Sequence, residues 1–81
     1  MNITKRELEQ ATRRAIYSDN IVIIKNGTTA WLTIARPFID IEAGTLTYKI
    51  MGNVTCNILS IENTPASMMI VCDTCKIIYT L

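Results

Sequence analysis

The helical and strand patterns of this chain are unevenly distributed, and this distribution limits the fold more than any other feature. A capped helix pattern occupies residues 4–17, and short stretches rich in β-branched residues, separated by turn residues, fill nearly all of the remaining chain. Parallel strands need long crossover connections, and the chain offers no second helix to supply one. The sequence therefore predicts an α+β fold, in which an N-terminal α-helix packs on an antiparallel β-sheet of five to six strands arranged as a hairpin meander.

The start of the helix carries two independent signals. Thr4 and Glu7 have the spacing of a capping box, in which each side chain bonds to the backbone N–H of the other residue. Ile3 and Leu8 have the spacing of a hydrophobic staple across the same helix end. The residues that helical periodicity places on one buried face are Leu8, Ala11 and Ala15, with either Thr12 or Ile16 beside them.

Tight turns divide the rest of the chain into candidate strands. Asn26-Gly27 is a strong hairpin signal because both residues tolerate a positive φ, and Gly52-Asn53 indicates a second hairpin. We assign residues 1–81 to a single domain. Seven segments have strand character, and from them we count five to six strands. They are residues 21–25, 29–35, 38–42, 45–51, 54–61, 67–72 and 76–80.

The composition is that of a folded protein with little net charge. A chain that is 49% hydrophobic and 19% charged does not have the composition of a disordered protein. Its net charge of +1 excludes a generally basic protein that wraps nucleic acid. No stretch reaches the roughly 18–20 apolar residues that cross a membrane, and the first residues lack the apolar segment of a signal peptide. We therefore expect a cytoplasmic protein with no membrane partner.

The three cysteines are the only residues whose spacing suggests a metal or redox site. Cys72 and Cys75 form a C-x-x-C pair, but a structural zinc site needs four ligands and the chain contains no histidine. Cys56 with Asp73, or with a residue of a second subunit, would be needed to complete the site. A redox pair belongs at a strand-to-helix junction, and here strand patterns flank both cysteines. We expect free thiols, no metal and no cofactor, with Cys56, Cys72 and Cys75 as the only metal candidates.

The sequence also gives little support for catalysis. The thiols have no histidine to act as a general base. Asp40 and Glu42 alternate along one predicted strand, so their side chains would share a face, and two such carboxylates can do acid–base work or bind a hard cation. We favour the simpler interpretation, that they are solvated charges protecting an edge strand from aggregation. We therefore predict that the protein is not an enzyme.

The predicted surface offers two kinds of binding residue. Residues 1–17 carry a net charge of +2, which either makes the helix soluble or directs it towards phosphate or an acidic protein surface. Trp31 falls on the outward side of its strand, where it is either a binding anchor or covered by a neighbouring segment or subunit. The predicted partner-binding residues are Arg6, Arg13, Arg14, Trp31, Asp40 and Glu42.

From these features we expect a non-enzymatic protein–protein interaction module. Its small size and lack of catalytic motifs are typical of phage or mobile-element proteins that inhibit host machinery, including anti-CRISPR proteins of host-defence evasion. The expected partner is a larger host protein or nucleoprotein complex. The alternative is a nucleic-acid-binding or regulatory protein that uses the basic helix. A homodimer formed through a sheet edge is a further expectation, because the segments 68–71 and 77–78 are apolar.

Overall fold

The computed structural model describes residues 3–31, 36–50 and 52–81, with the backbone alone described for Ala30 and Trp31. Its elements are α1 (Lys5–Ile16), β1 (Asn20–Lys25), β2 (Thr28–Trp31), β3 (Phe38–Asp40), β4 (Thr45–Lys49), β5 (Asn53–Asn63), β6 (Ser67–Cys72) and β7 (Lys76–Thr80). The fold is thus α+β with an N-terminal helix, as predicted. Within these residues no helix has the length and apolar character needed to cross a membrane.

The helix begins where the sequence indicates. The Thr4 side chain accepts a hydrogen bond from the Glu7 backbone N–H, and the Glu7 carboxylate accepts one from the Thr4 backbone N–H, which confirms the capping box. The residues that the helix buries are Leu8, Ala11 and Ala15, as its periodicity predicts. Of the two further candidates, Thr12 is half-buried and Ile16 is exposed. Two alanines on this face allow the helix backbone to approach the sheet closely.

The sheet has seven strands, so the predicted count of five to six is wrong. All pairs are antiparallel, and the spatial order is β2-β1-β7-β6-β5-β4-β3. Strands β3 to β7 form a meander. Strand β1 then pairs with β7, so the β1–β2 hairpin lies at the opposite edge of the sheet from β3. Local turn signals could not reveal this pairing, because it joins segments at opposite ends of the sequence.

The sheet is strongly curled. In a flat sheet, six spacings of about 4.8 Å would separate edge strands β2 and β3 by about 29 Å. The chain from Trp31 to Phe38 spans at most about 25 Å even when fully extended. The two edges must therefore approach one another. A cavity lined by Ile23 and Lys25 on one side and by Tyr48 and Val54 on the other shows that the two hairpins face each other.

A β-bulge in β5 keeps both halves of this long strand turned towards the core. Ile58 pairs with Cys72, and the next pair joins Ser60 to Val71, so that Leu59 is the extra residue. Cys56 and Ile58 face the core before the bulge, and Ile61 packs against the same core after it. The bulge shifts the alternation by one residue, which lets the strand bend without exposing its apolar side chains.

The apolar core lies between the helix and the inner face of the curled sheet, which we define as the side facing the helix. The largest side chains that are fully buried in this core are Leu46, Met68, Ile70, Ile77 and Tyr79. Ile21 and Ile23 extend this face along β1. The apolar strand 21–24 is therefore buried mainly through alternate residues, because Val22 and Ile24 face outwards and are half-buried.

Arg36 joins the C-terminal end of the helix to the segment that enters β3. Its guanidinium group donates hydrogen bonds to the backbone oxygens of Ala15 (2.6 Å) and Ser18 (2.8 Å) and to the Ser18 hydroxyl. These carbonyls lie where a helix leaves its last acceptors unpaired and where its dipole favours a cation. The arginine therefore acts as a tertiary cap on the helix.

Candidate functional site

The fold brings all three cysteines together in a buried thiol cluster, which we define as Cys56, Cys72 and Cys75. Cys56 lies on β5, Cys72 ends β6, and Cys75 follows in the β6–β7 turn. The three sulfur atoms lie within 4.8 Å of one another, and Cys56 Sγ is 3.8 Å from Cys75 Sγ. All three residues are free cysteines and all are buried. The sequence predicted free thiols but could not show that Cys56 joins the C-x-x-C pair.

The β6–β7 turn is fixed against β5 beside the thiol cluster. The Cys72 backbone N–H donates to the Cys75 carbonyl (2.8 Å), which closes the turn. The Asp73 backbone N–H donates to the Asn57 carbonyl (3.0 Å). The Asp73 carboxylate accepts hydrogen bonds from the Asn57 backbone N–H (3.2 Å) and side-chain amide (2.9 Å). Both oxygens of Asp73 are therefore engaged with Asn57, although this residue was our candidate fourth metal ligand.

Burial keeps the Cys56 and Cys72 thiols protonated at neutral pH. It raises the pKa of the Cys56 thiol to about 11, and burial is also the main reason that the pKa of Cys72 is raised well above its ordinary value. The nucleophilic form of cysteine is the thiolate, so these two thiols are poorly suited to nucleophilic or redox catalysis. Cys56 instead uses its S–H group to donate a weak hydrogen bond to the Leu46 carbonyl (3.5 Å).

Tyr79 contributes an unpaired hydroxyl to the same part of the core. The side chain is fully buried, and its hydroxyl has no hydrogen-bond partner among the residues described. Burial is the main cause of its raised pKa, and the charge of a Cys72 thiolate would raise that pKa further. The Tyr79 hydroxyl thus lies within electrostatic range of the thiol cluster. The sequence gave no sign of this group, because a tyrosine in an alternating strand is read only as apolar.

A second candidate site is a patch on the outer face of the sheet, the side opposite the helix. Cross-strand pairing aligns Val22 with Ile78 and Ile78 with Met69, and the neighbouring row runs from Ile24 through Lys76 to Val71. We define the outer apolar patch as the five half-buried side chains Val22, Ile24, Met69, Val71 and Ile78. Lys76 is exposed between two of them, and no acidic partner for it is found within the described parts of the chain.

The predicted basic residues of the helix differ in their surroundings. Arg6 and Arg13 are exposed. Arg14 instead donates hydrogen bonds to the Asn63 side chain (2.6 Å) and the Thr64 carbonyl (2.8 Å), so its guanidinium group holds the β5–β6 turn. All three arginines lie on the helix side of the sheet, opposite the outer apolar patch.

Asp40 and Glu42, the predicted acidic pair, do not lie on the same strand. Strand β3 ends at Asp40, and Glu42 lies in the following turn, so the two do not alternate along one strand face. The Asp40 carboxylate accepts a hydrogen bond from the Ala43 backbone N–H (3.0 Å), which explains why the strand ends there. Glu42 forms an exposed ion pair with Lys5 (2.9 Å).

Trp31 pairs with Val22 through its backbone, but its side chain lies outside the part of the chain that is described. The predicted anchor role of this tryptophan therefore stays a prediction. The second half of the predicted strand 29–35 also lies outside the described residues. Of the other predicted binding residues, three lie on the helix and two lie at β3 and its turn, and the Lys5–Glu42 ion pair joins these two elements.

Comparisons with protein-family models, with curated proteins and with solved structures give no match to this chain. The function is therefore inferred from the thiol cluster, from the outer apolar patch and from the fold that positions them.

Proposed function

We propose that the protein is a non-enzymatic protein–protein interaction module that binds its partner through the outer apolar patch. The observation that carries this proposal is the cross-strand row of Val22, Ile78 and Met69 on the face that the helix leaves uncovered. Contiguous apolar side chains on an outer face are typical of an interaction surface. The central strands β1, β7 and β6 hold these side chains in fixed register, so the patch is preorganised for binding.

The charges around the patch limit the chemistry of the partner. Lys76 stands between Ile24 and Val71, and an apolar partner surface would have to cover its ammonium group. A buried, unpaired charge is costly, so the partner should present a carboxylate at this point. The partner we propose is therefore a protein with an apolar surface that contains at least one acidic side chain.

The biological form that we propose is inhibition of host machinery in the cytoplasm by a small phage or mobile-element protein, such as an anti-CRISPR. Occlusion of a larger protein's surface requires only a rigid face of complementary shape and charge. The support for this form is the small size of the fold and its preorganised outer face.

Affinity capture from the native cell, followed by reconstitution with the purified captured protein, tests the proposal. The informative variant replaces Val71 and Ile78 with threonine, which keeps the β-branched shape but removes apolar contact area. We expect binding to weaken by about 30-fold or more, as for the loss of hot-spot contacts. The matched control is Arg6→Ala with Arg13→Ala, which alters the opposite side of the molecule and should leave the affinity unchanged.

The alternative proposal is nucleic-acid binding through the helix, and the same variants distinguish the two. Of the basic helix residues, Arg6 and Arg13 are exposed, while Lys5 and Arg14 are engaged by other residues. Binding through two phosphate contacts would give a salt slope of about −2 and would be lost in the double arginine variant. That result, with the threonine variant unaffected, would replace our proposal. A dimer in light scattering that the threonine variant abolishes would identify a second copy as the occupant.

A further inference from the structure

The thiol cluster has the dimensions of a metal's ligand shell. For a metal–sulfur bond of about 2.3 Å, two sulfurs bound to one ion lie about 3.8 Å apart in tetrahedral and about 4.0 Å apart in trigonal geometry. The Cys56 and Cys75 sulfurs are 3.8 Å apart, and all three sulfurs lie within 4.8 Å of one another. A disulfide would need a separation of about 2.05 Å, so the cluster is much closer to the geometry of metal binding.

The cluster is also held in place by structure that surrounds it. Cys56 belongs to the long strand β5, and the hydrogen bonds between Asp73 and Asn57 fix the turn that carries Cys72 and Cys75. A surface groove lined by Gly27, Thr74 and Lys76 reaches Cys72 and Cys75, and it provides a path by which an ion could enter. A metal site needs both a preorganised ligand set and such a path.

The donor atoms select the type of metal. The chain has no histidine, and the carboxylate of Asp73 is engaged by Asn57, so the described surroundings supply three sulfurs without a fourth strong ligand. Structural zinc sites are almost always four-coordinate. Soft thiolate ligands also select Cu(I), for which three sulfur ligands can complete the shell.

We propose that Cys56, Cys72 and Cys75 bind one Cu(I) ion in three-sulfur coordination. The proposal is independent of the interaction surface on the outer face. Cu–S bonds replace the S–H bonds, and the displaced protons pass to water. No electron is transferred, because the ion enters already reduced.

The test is an anaerobic titration of the reduced, purified protein with Cu(I), in competition with a colorimetric Cu(I) chelator. We expect one Cu(I) per chain, and X-ray absorption should show three sulfur neighbours at about 2.3 Å. Each of Cys56→Ser, Cys72→Ser and Cys75→Ser should weaken binding by about 100-fold or more, since even outer-shell changes cost 10–100-fold. Circular dichroism of each variant shows whether the loss reflects unfolding.

Two milder variants keep the test decisive if the serine variants do not fold. Asn57→Ala removes the amide that holds the Asp73 carboxylate, which loosens the turn that carries Cys72 and Cys75, and it should weaken Cu(I) binding by about 10-fold without changing the stoichiometry. Glu62→Gln changes an exposed carboxylate on β5 that lies outside the thiol cluster and the turn beside it, and it should leave the affinity within about threefold, where a ligand would cost far more. Failure of the wild-type protein to bind one Cu(I), two-sulfur coordination, or a Zn(II) complex with four protein ligands would each overturn the proposal.

Discussion

At the scale of single residues, burial changes the chemistry of groups that the sequence presents as ordinary. Cys56 and Cys72 lie on adjacent strands of the inner face, where desolvation disfavours their thiolates. Tyr79 is buried in the same core, and its pKa is raised for the same reason. These groups hold their protons more tightly in the folded state than in the unfolded chain, so folding and proton binding are coupled.

This coupling predicts that the reduced, metal-free protein loses stability at alkaline pH. The stabilising effect is complete below the ordinary thiol pKa of 9.0 and is lost as the pH rises through the folded-state value, about 11 for Cys56. The free energy of unfolding should fall between about pH 9 and about pH 11, by at most about 1.4 kcal/mol per pH unit for each group. Urea denaturation across this range measures the effect.

The control for this prediction is Cys56→Ala, which removes one of the coupled groups. Its unfolding free energy should depend less steeply on pH above about pH 9 than that of the wild-type protein. A urea midpoint that does not change with pH in either protein would show that the thiols titrate normally in the folded state.

At the scale of secondary-structure elements, β5 determines how the sheet closes. It pairs with β4 along its first half and with β6 along its second half, and the bulge at Leu59 lies within the β6 ladder, directly after Ile58. The side chain of Leu59 is exposed, so the residue serves the backbone geometry rather than the core. An added residue changes which face later side chains occupy, because the side-chain period of a strand is two.

Deletion of Leu59 should therefore be far more damaging than any substitution of its side chain. Without the extra residue, either Ile61 turns away from the core or the pairing with β6 slips. We expect a loss of about 3 kcal/mol or more, since burial of one isoleucine is worth roughly 1.5–3 kcal/mol and the cross-strand register is lost as well.

Chemical denaturation followed by circular dichroism measures this effect, and Leu59→Ser provides the matched control. The substitution keeps the residue count and should change stability by less than about 0.5 kcal/mol, as is usual for surface positions. Equal stability of the deletion and the substitution would mean that the bulge has no structural role.

At the scale of the whole molecule, the C-terminal strand links the two parts of the sheet. β7 lies between β1 and β6, and it is the described strand through which the β1–β2 hairpin joins the meander. Ile77 and Tyr79 are fully buried within it. The edge strand β3 is short, at three residues, which limits pairing with another chain through that edge.

A chain shortened to end at Cys75 should therefore fail to fold, although it loses only the last few residues. The truncation leaves β1 and β6 each without one of its partner strands and removes the core side chains of Ile77 and Tyr79. The stabilising free energy that is lost exceeds the usual free energy of unfolding of a small domain. A chain that ends at Thr80 is the control and should keep a cooperative urea transition. Native-like circular dichroism of the shorter chain would show that the meander folds without β7.

The candidate sites were predicted to very different extents. The sequence identified the three cysteines and the hairpin that carries two of them, but the approach of Cys56 depends on β5 pairing with β6. It could not identify the outer apolar patch, because alternate residues of β1, β6 and β7 become neighbours only when those strands lie side by side. The interpretation of Asp40 and Glu42 as a strand pair failed because a side chain-to-backbone hydrogen bond ended the strand early.

The sequence by itself determined the features that depend on near neighbours: the capping box at Thr4, the buried helix stripe and the positive φ of Asn26 and Gly27 in the first hairpin turn. Tertiary structure alone decided the pairing of β1 with β7, the cap that Arg36 places on the helix and the convergence of the thiols. The physical reason is the range of the interactions. Caps and turns are set by groups a few residues apart, whereas strand order and buried clusters depend on contacts between segments that meet only when the whole core is assembled.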